Sequence, residues 1–364
     1  MTYKHVSDLI YLVRCAVNED IPSRERIGRM DLYEVYQEAR KHSLTAIAAC
    51  ALEMADIHEE KFIQAKGKAI RKNILLDADR ETAGRQMDKA GIWYMPLKGA
   101  VLKDLYPYVG MREMADNDIL FDPSRAEDVR SIMEESGFTT ELFEKGPHDI
   151  YHKKPVSNFE MHRTLFAEGS DFYKYYKDVK DRLLPTGGCG YAFSPEDFYV
   201  YMICHEYKHY SGGGTGLRSL LDTYVYLKKK SPDMDYIGRE AEKLGIAEFE
   251  RGNRSLACRL FSGRGLTEKN KEMLRFILSS GTYGTLSNQV RNAVRANGGS
   301  KIRYMLRRFF PPVRENDKEY KQFAAQYPFA YRHKALIPLL IVFRAGRGLI
   351  RGTLIRELKI LWKA

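Results

Sequence analysis

The 364-residue sequence predicts an α+β fold, in which a small mixed β-sheet is embedded between an N-terminal and a C-terminal helical region. Two observations support this fold class. Before residue 91 and after residue 165, apolar residues recur at three-to-four spacing, which is typical of amphipathic helices. Between these positions, short apolar and aromatic segments alternate with turns, which is typical of strands. We therefore expect four regions, at residues 1–90, 91–165, 166–296 and 297–364.

The first region is expected to be helical throughout. Its apolar residues recur on one helix face, as at Leu9 and Leu12. Residues 61–89 form a long charged segment without proline, which predicts a long helix. Gly67 and Gly84 lower its stability as one continuous helix.

The second region is expected to hold the sheet. Pro96 deprives the first strand of an amide donor, and this predicts an edge position for that strand. A short helix is expected at 100–105 and a second helix at 124–136. The predicted strands cover residues 92–97, 116–121, 138–142, 150–153 and 157–162.

The third region is expected to return to helices, and the fourth to form a basic, partly helical tail. Near the end of the tail, Leu354, Leu358 and Leu361 recur at helical spacing, whereas Arg356 and Lys359 fall on the opposite side. We expect this apolar stripe to dock on the body of the protein. The predicted helices of the third region cover residues 195–210, 217–229, 237–244, 255–260 and 266–279.

The net charge of +11 is concentrated near the end of the sequence. Residues 300–364 contain 15 Lys and Arg against 4 Asp and Glu, so the other residues are electrically balanced. This pattern indicates one localised anionic contact and not a protein that coats nucleic acid. The 44% hydrophobic and 29% charged content excludes global disorder. The five scattered cysteines are typical of reduced thiols and predict a cytoplasmic protein.

Asp116-Asn117-Asp118 is the most informative motif. Residues i and i+2 of a strand face the same side, so both carboxylates are expected to project together. Two adjacent carboxylates repel each other unless a cation lies between them, and hard oxygen ligands suit Mg²⁺. Glu160, on a later predicted strand, supplies the third carboxylate that completes a two-metal site.

The order of these motifs resembles the nucleotidyltransferase superfamily with the polymerase-beta-like fold, and within it a family of uncharacterised nucleotidyltransferases. That family combines a Leu-Lys-Gly turn, a Tyr-Pro step, an arginine, a DxDxL strand, a Glu-x-His strand and a helical C-terminal half. The resemblance extends over nearly the whole chain and implies a nucleotidyltransferase core at residues 91–165. The corresponding residues here are Leu97-Lys98-Gly99, Tyr106-Pro107, Arg112, residues 116–120 and Glu160-Met161-His162.

The resemblance implies a role for each matching residue. Asp116, Asp118 and Glu160 would be the catalytic residues and would bind Mg²⁺, with Mn²⁺ as an alternative. Gly99 would allow the backbone to approach the triphosphate of an NTP, with helix N–H groups behind it. The other residues expected to contact the nucleotide are Lys98, Arg112 and His162.

Two residues depart from the superfamily pattern. Asn117 stands between the aspartates, where a hydrophobic residue is usual, so its side chain needs a hydrogen-bond partner on the core side. Ala100 stands where a serine often contacts phosphate. A degenerate member that binds a nucleotide or a partner without turnover is therefore an alternative.

Residues 205–209 match the HExxH motif of zinc proteases. His205 and His209 at i and i+4 of a helix can share Zn²⁺, so a zinc hydrolase is a further alternative to a helix that packs or lines the nucleotide cleft. The glycine-rich segment 212–216 follows, and a flexible linker is the simpler interpretation of it. Because it precedes a helix, it also predicts that Arg218 contacts a phosphate or the base.

The residues and the resemblance together predict a bacterial-type, Mg²⁺-dependent nucleotidyltransferase. The enzyme would transfer a nucleoside monophosphate from an NTP to a hydroxyl group and release pyrophosphate. The acceptor stays open between a small molecule, a sugar and a protein, and nucleic acid is not favoured. Contact of the basic tail with a membrane surface is not favoured either, because its apolar stripe can be covered by the body.

Overall fold

The computed structural model describes residues 3–282, 284–314, 320, 323–324, 327–350 and 352–363. Parts of the predicted basic tail, residues 315–319 among them, lie outside the described residues. In chain order, helices precede and follow the strands of one mixed sheet, and this arrangement confirms the α+β prediction. The helices are α1 (Tyr3–Asn18), α2 (Arg24–Ile27), α3 (Leu32–Lys41), α4 (Thr45–Met54), α5 (Glu60–Lys89), α6 (Lys98–Leu102), α7 (Ala126–Glu135), α8 (Tyr173–Tyr176), α9 (Pro195–Ser211), α10 (Leu217–Lys230), α11 (Met234–Lys243), α12 (Ala247–Ser262), α13 (Glu268–Ser280), α14 (Leu286–Ala296), α15 (Lys301–Phe309), α16 (Pro328–Arg332), α17 (Ile337–Ile350) and α18 (Thr353–Lys363).

The sheet has seven strands in the order β3-β4-β5-β2-β1-β7-β6. The pairs β2–β5 and β1–β7 are parallel, and the other four pairs are antiparallel. The strands are β1 (Tyr94–Pro96), β2 (Asn117–Phe121), β3 (Thr139–Leu142), β4 (His148–Lys153), β5 (Ser157–His162), β6 (Leu184–Gly187) and β7 (Gly190–Ala192).

The edge position expected for the strand that contains Pro96 is wrong. Strand β1 lies inside the sheet, between β2 and β7. However, β7 pairs with β1 only at Tyr94 and Gly190, so Pro96 lies beyond the end of that ladder. The amide that proline lacks is therefore not needed there. The hairpin β6–β7 was not predicted, because its short strands lie among glycines and Pro185, which locally indicate turns.

Both faces of the central strands are covered by helices. On one face, Ile119 and Phe121 of β2 pack in a core with Met87 of α5 and Val129 of α7. On the other face, Leu120 belongs to a second core with residues of α9. Because strand residues alternate between faces, Asp118 shares the α9 face with Leu120. A third core joins the N-terminal helices to α10, α12 and α13.

The last helices pack on α14. Tyr304 of α15 and Leu361 of α18 form a small buried cluster with Val290 of α14. Arg308 forms a bidentate ion pair with Glu357, at 3.0 and 3.1 Å. None of the helices in the described part of the chain has the length and apolarity needed to span a bilayer.

Candidate functional site

Two parallel strands bring acidic side chains together in a cavity. Asp118 on β2 is the register partner of Glu160 on β5, and such partners project from the same face of a sheet. Asp116 directly precedes β2 and lines the same cavity. The cavity has a volume of about 440 Å³ and lies between this face of the sheet and helices α9 and α10. The three predicted carboxylates therefore lie in one site.

Asp118 is buried and bonded to two nitrogen donors. Its Oδ1 atom lies 2.5 Å from Lys98 Nζ and 2.8 Å from His162 Nε2. Burial disfavours the charged form of Asp118, but Lys98 and His162 outweigh burial and hold the pKa of Asp118 well below its usual range. Burial also opposes the charge of Lys98, yet the Asp118 carboxylate raises the pKa of Lys98 above its usual value. Both groups are therefore charged at neutral pH.

Asp116 has the opposite electrostatic environment. Burial and the nearby carboxylates of Asp118 and Glu160 raise the pKa of Asp116 to about 6. A bound divalent cation relieves such an excess of negative charge. The three carboxylates also offer the hard oxygen donors that Mg²⁺ prefers, so the donor set fits the metal that the sequence predicts.

Two imidazoles flank the third carboxylate. Glu160 Oε2 lies 3.8 Å from His148 Nε2 and 3.5 Å from His162 Nε2. The candidate ligand atoms of these three residues all lie within 4.8 Å of one another. A hydrogen bond with His162 lowers the pKa of Glu160, although burial opposes this shift. His148 was not among the predicted site residues, because the predicted strand began at residue 150, whereas β4 begins at His148 and pairs it with His162.

Gly99 lies where the structure leaves no room for a side chain. A Cβ atom at Gly99 would lie 2.6 Å from Arg112 Nη1 and 2.8 Å from Met114 Sδ. Arg112 is buried and forms a bidentate ion pair with Asp222, at 2.8 and 2.9 Å. Tyr106 also donates a hydrogen bond to Asp222. The guanidinium predicted to contact phosphate is thus held by a carboxylate of α10, and Gly99 makes room for it.

Arg218 lines the cavity from the start of α10. Its Nη1 atom donates to the carbonyl oxygen of Glu113 at 3.3 Å. The glycine-rich segment 212–216 before α10 is closely packed and is not a loose linker. At Gly214, which has φ +102°, a Cβ atom would lie 2.0 Å from Ser280 Oγ. The glycines therefore allow close packing that places Arg218 at the cavity wall.

Helix α9 contributes a pair of histidines to the cavity. The Nε2 atoms of His205 and His209 lie 3.3 Å apart. Partial desolvation by the cavity walls lowers the pKa of His209 to about 4, although its side chain is exposed, and holds the pKa of the less exposed His205 well below its usual range. Glu206 Oε2 instead accepts hydrogen bonds from Asn253 and Thr223 in the core, at 3.0 and 3.3 Å. This placement differs from the HExxH site of zinc proteases, in which the glutamate acts as base beside the metal.

A family model described as an uncharacterised nucleotidyltransferase matches residues 29–262, which is more than half of the chain. The chain belongs to this nucleotidyltransferase family. The match includes the three carboxylates and the helices that enclose the cavity. It confirms the family that the sequence resembles, but it covers residues 29–262 and not nearly the whole chain. Family membership implies a nucleotide substrate, and nucleotidyltransferases generally use divalent metal ions. No curated protein and no solved structure gives a significant match to the chain.

Asn117 has the partners that a buried polar side chain needs. Its Nδ2 atom donates to the carbonyl oxygen of Leu76 at 2.8 Å, and its Oδ1 atom accepts from Arg80 Nη1 at 3.1 Å. Both partners belong to α5, on the face of the sheet away from Asp118. Asn117 therefore ties β2 to α5 and leaves the carboxylates undisturbed.

Lys208 lines the cavity and was not among the predicted site residues. Partial desolvation beside the cavity and the nearby charge of Lys98 lower the pKa of Lys208, although its side chain is exposed. The sequence contains a pattern that could have predicted this position. Tyr201, His205 and Lys208 recur at three-to-four spacing and so share one face of α9. Ser194 caps this helix, and Pro195 occupies its first turn.

Proposed function

We propose that this protein transfers a nucleoside monophosphate from an NTP to a hydroxyl acceptor, with Mg²⁺ as cofactor and pyrophosphate as the second product. The main support is the pairing of Asp118 with Glu160 across two parallel strands, with Asp116 beside them in one cavity. The family match supports the nucleotide substrate. The proposed catalytic unit is residues 91–165, and residues 166–296 complete the cavity.

Asp116, Asp118 and Glu160 would hold Mg²⁺, or Mn²⁺ in its place. When bound, the ion neutralises phosphate charge and aligns the reacting groups. Lys98 lies at hydrogen-bond distance from Asp118 and would donate to a phosphate oxygen when the nucleotide binds. Arg218 lines the same cavity and would add a second cationic contact.

The proposed chemistry is an in-line substitution at phosphorus. The acceptor oxygen attacks the α-phosphorus, the bond to the oxygen that bridges to the β-phosphate breaks, and pyrophosphate leaves. The hydroxyl proton passes to a carboxylate, and we assign this role to Glu160. His148 lies 3.8 Å from Glu160, and burial lowers its pKa. A neutral His148 can therefore take the proton onward.

One observation favours a second candidate function, in which the protein binds a nucleotide or a partner without turnover. Asp118 Oδ1 already accepts hydrogen bonds from Lys98 and His162, and Arg112 is held by Asp222. Charges that are paired within the protein are less available to a nucleotide and to a metal ion.

The test uses the full chain, each of the four NTPs, Mg²⁺ and a cell extract that retains proteins and small molecules, with pyrophosphate release and transfer of α-phosphate label as readouts. We expect Mg²⁺-dependent pyrophosphate release with at least one NTP. Asp118→Asn should lower the rate by about 100-fold or more, whereas Asp128→Asn, at a surface position of α7, should not. Stoichiometric NTP binding without release would support the second candidate. If no NTP binds, the proposed reaction and the nucleotide-binding form of the second candidate are wrong.

A further inference from the structure

The helices near the end of the chain carry most of the large hydrophobic side chains that the described residues expose to solvent. Ten of the 17 large hydrophobic side chains that the described residues expose lie between residues 302 and 362, which is less than a fifth of the chain. Folded proteins rarely expose contiguous apolar patches that have no binding role. The ten residues are Ile302, Leu306, Phe310, Val313, Phe329, Leu339, Val342, Phe343, Ile355 and Trp362.

The exposed side chains follow helix faces. On α17, Leu339, Val342 and Phe343 recur at three-to-four spacing, and Leu339 and Val342 are 65% and 69% exposed. On α15, Ile302 and Leu306 lie one turn apart and are also exposed. An apolar stripe of this kind normally faces a partner.

These faces differ from the faces that pack on the protein. The small cluster of Tyr304, Leu361 and Val290 lies on the inner side, against α14. Leu354 and Leu340 are buried as well. Docking of the inner faces therefore leaves the outer apolar faces accessible to a second partner.

Cations surround the exposed apolar residues. On α15, Lys301, Arg303 and Arg307 are exposed beside Ile302 and Leu306. On α18, Arg356 and Lys359 are exposed on the turns that also carry Ile355 and Trp362. The whole net charge of +11 belongs to residues 300–364. The partner of this surface must therefore be both apolar and anionic.

We propose that α15, α17 and α18 form a docking surface for an anionic phospholipid bilayer, on which these helices lie without crossing it. Apolar side chains would enter the interface while Lys and Arg contact lipid phosphates, as in other interfacial amphipathic helices. Trp362, which is 87% exposed, suits the headgroup level, where tryptophan is enriched.

Two other occupants fit the surface less well. A second copy of the chain would bring two segments of net charge +11 face to face, and their repulsion opposes association. A nucleic acid would use the cations but would leave Leu339, Val342 and Phe343 without a role. The proposal does not rest on the nucleotidyltransferase reaction and stands or fails separately from it.

The experiment measures binding of the full chain to vesicles by co-sedimentation and by tryptophan emission. The vesicles contain phosphatidylcholine alone or phosphatidylcholine with phosphatidylglycerol. Because the chain has two tryptophans, Trp93→Phe leaves Trp362 as the only tryptophan, whose emission is excited selectively over that of tyrosine. We expect binding to anionic vesicles only, a blue shift of Trp362 emission, and weaker binding at high salt.

Leu339→Glu with Phe343→Glu should weaken the partitioning by about tenfold or more. The matched control, Ile21→Glu with Ile74→Glu, changes two exposed apolar residues outside the tail and should have no effect. Unchanged thermal melting verifies that both variants fold. The proposal is wrong if anionic vesicles do not bind or Trp362 emission does not shift. It is also wrong if the tail variant binds anionic vesicles as tightly as the control variant, if its only effect is to dissociate a dimer, or if RNA binds the chain and anionic vesicles do not.

Discussion

Asp118 and Glu160 stand opposite each other across the parallel strands β2 and β5, and both line the same cavity. Lys98 Nζ and His162 Nε2 both lie at hydrogen-bond distance from Oδ1 of Asp118. Asp116 has the higher pKa of the two aspartates. The three carboxylates are thus close in space but electrostatically unequal. This inequality leads to predictions that can be tested without knowledge of the acceptor.

Asp116→Asn should stabilise the protein at neutral pH. Folding raises the pKa of Asp116 from 3.8 to about 6, so the folded state loses stability as the pH rises from about 4 to 6. The neutral variant avoids that loss and should be about 1 to 3 kcal/mol more stable at pH 7 to 8, with no gain at pH 4. Urea denaturation across this pH range measures the effect. A gain that does not depend on pH would contradict the assignment.

Lys98→Met should destabilise the protein by about 2 to 4 kcal/mol, because it leaves the buried Asp118 carboxylate without its 2.5 Å cationic partner. The double variant with Asp118→Asn removes both charges and should recover much of this loss. Chemical denaturation of the two single variants and the double variant gives the coupling free energy between Lys98 and Asp118. Additive losses would show that the ion pair does not contribute.

Gly99→Ala should destabilise the protein by about 1 to 3 kcal/mol, since its Cβ atom would collide with Arg112 Nη1 and Met114 Sδ. Gly67→Ala is a matched control on α5, where no atom lies within 4 Å of the added Cβ. That variant should be more stable by about 0.5 to 1 kcal/mol, because alanine favours helix. Equal effects of the two substitutions on thermal melting would refute the steric account.

Glu206→Gln should make the protein more stable at alkaline pH. Burial and the Asp222 charge raise the pKa of Glu206 from 4.5 to about 8, so the folded state loses stability between about pH 5 and 8. Glutamine stays neutral and can still accept from Asn253 and Thr223. We expect a gain of roughly 2 to 4 kcal/mol at pH 8 and none near pH 4.5, measured by denaturation. If the variant is less stable than the unmodified protein at pH 8, the Glu206 carboxylate is ionised in the folded protein, which would contradict this prediction.

Local periodicity made part of the carboxylate site predictable from the sequence. Alternation along a strand predicts that residues two apart face one side, and this holds for Glu160 and His162 in β5. Asp116 lies just before β2 and not in it, and the pairing of β2 with β5, which brings Asp118 to Glu160, follows from no local pattern. The helices α5 and α9 were predicted to within one residue at each end, since α5 has no proline to interrupt it and Pro195 marks the first turn of α9.

The remaining features depend on contacts that no local pattern specifies. The ion pair between Arg112 and Asp222 joins residues 110 positions apart, so Arg112 was expected to contact phosphate. Pro96 was assigned to an edge because the short pairing with β7 is not visible in the sequence. The exposed outer faces of the last helices also emerge only once their inner faces are docked.

The carboxylate site is tested by calorimetric titration of each NTP into the full chain, with and without Mg²⁺. We expect that at least one NTP binds only with Mg²⁺, and that Asp118→Asn and Glu160→Gln each weaken this binding by about tenfold or more. The Asp128→Asn variant should bind this NTP as tightly as the unmodified protein does. Mg²⁺-dependent binding that persists unchanged in both site variants would show that these carboxylates do not hold the metal.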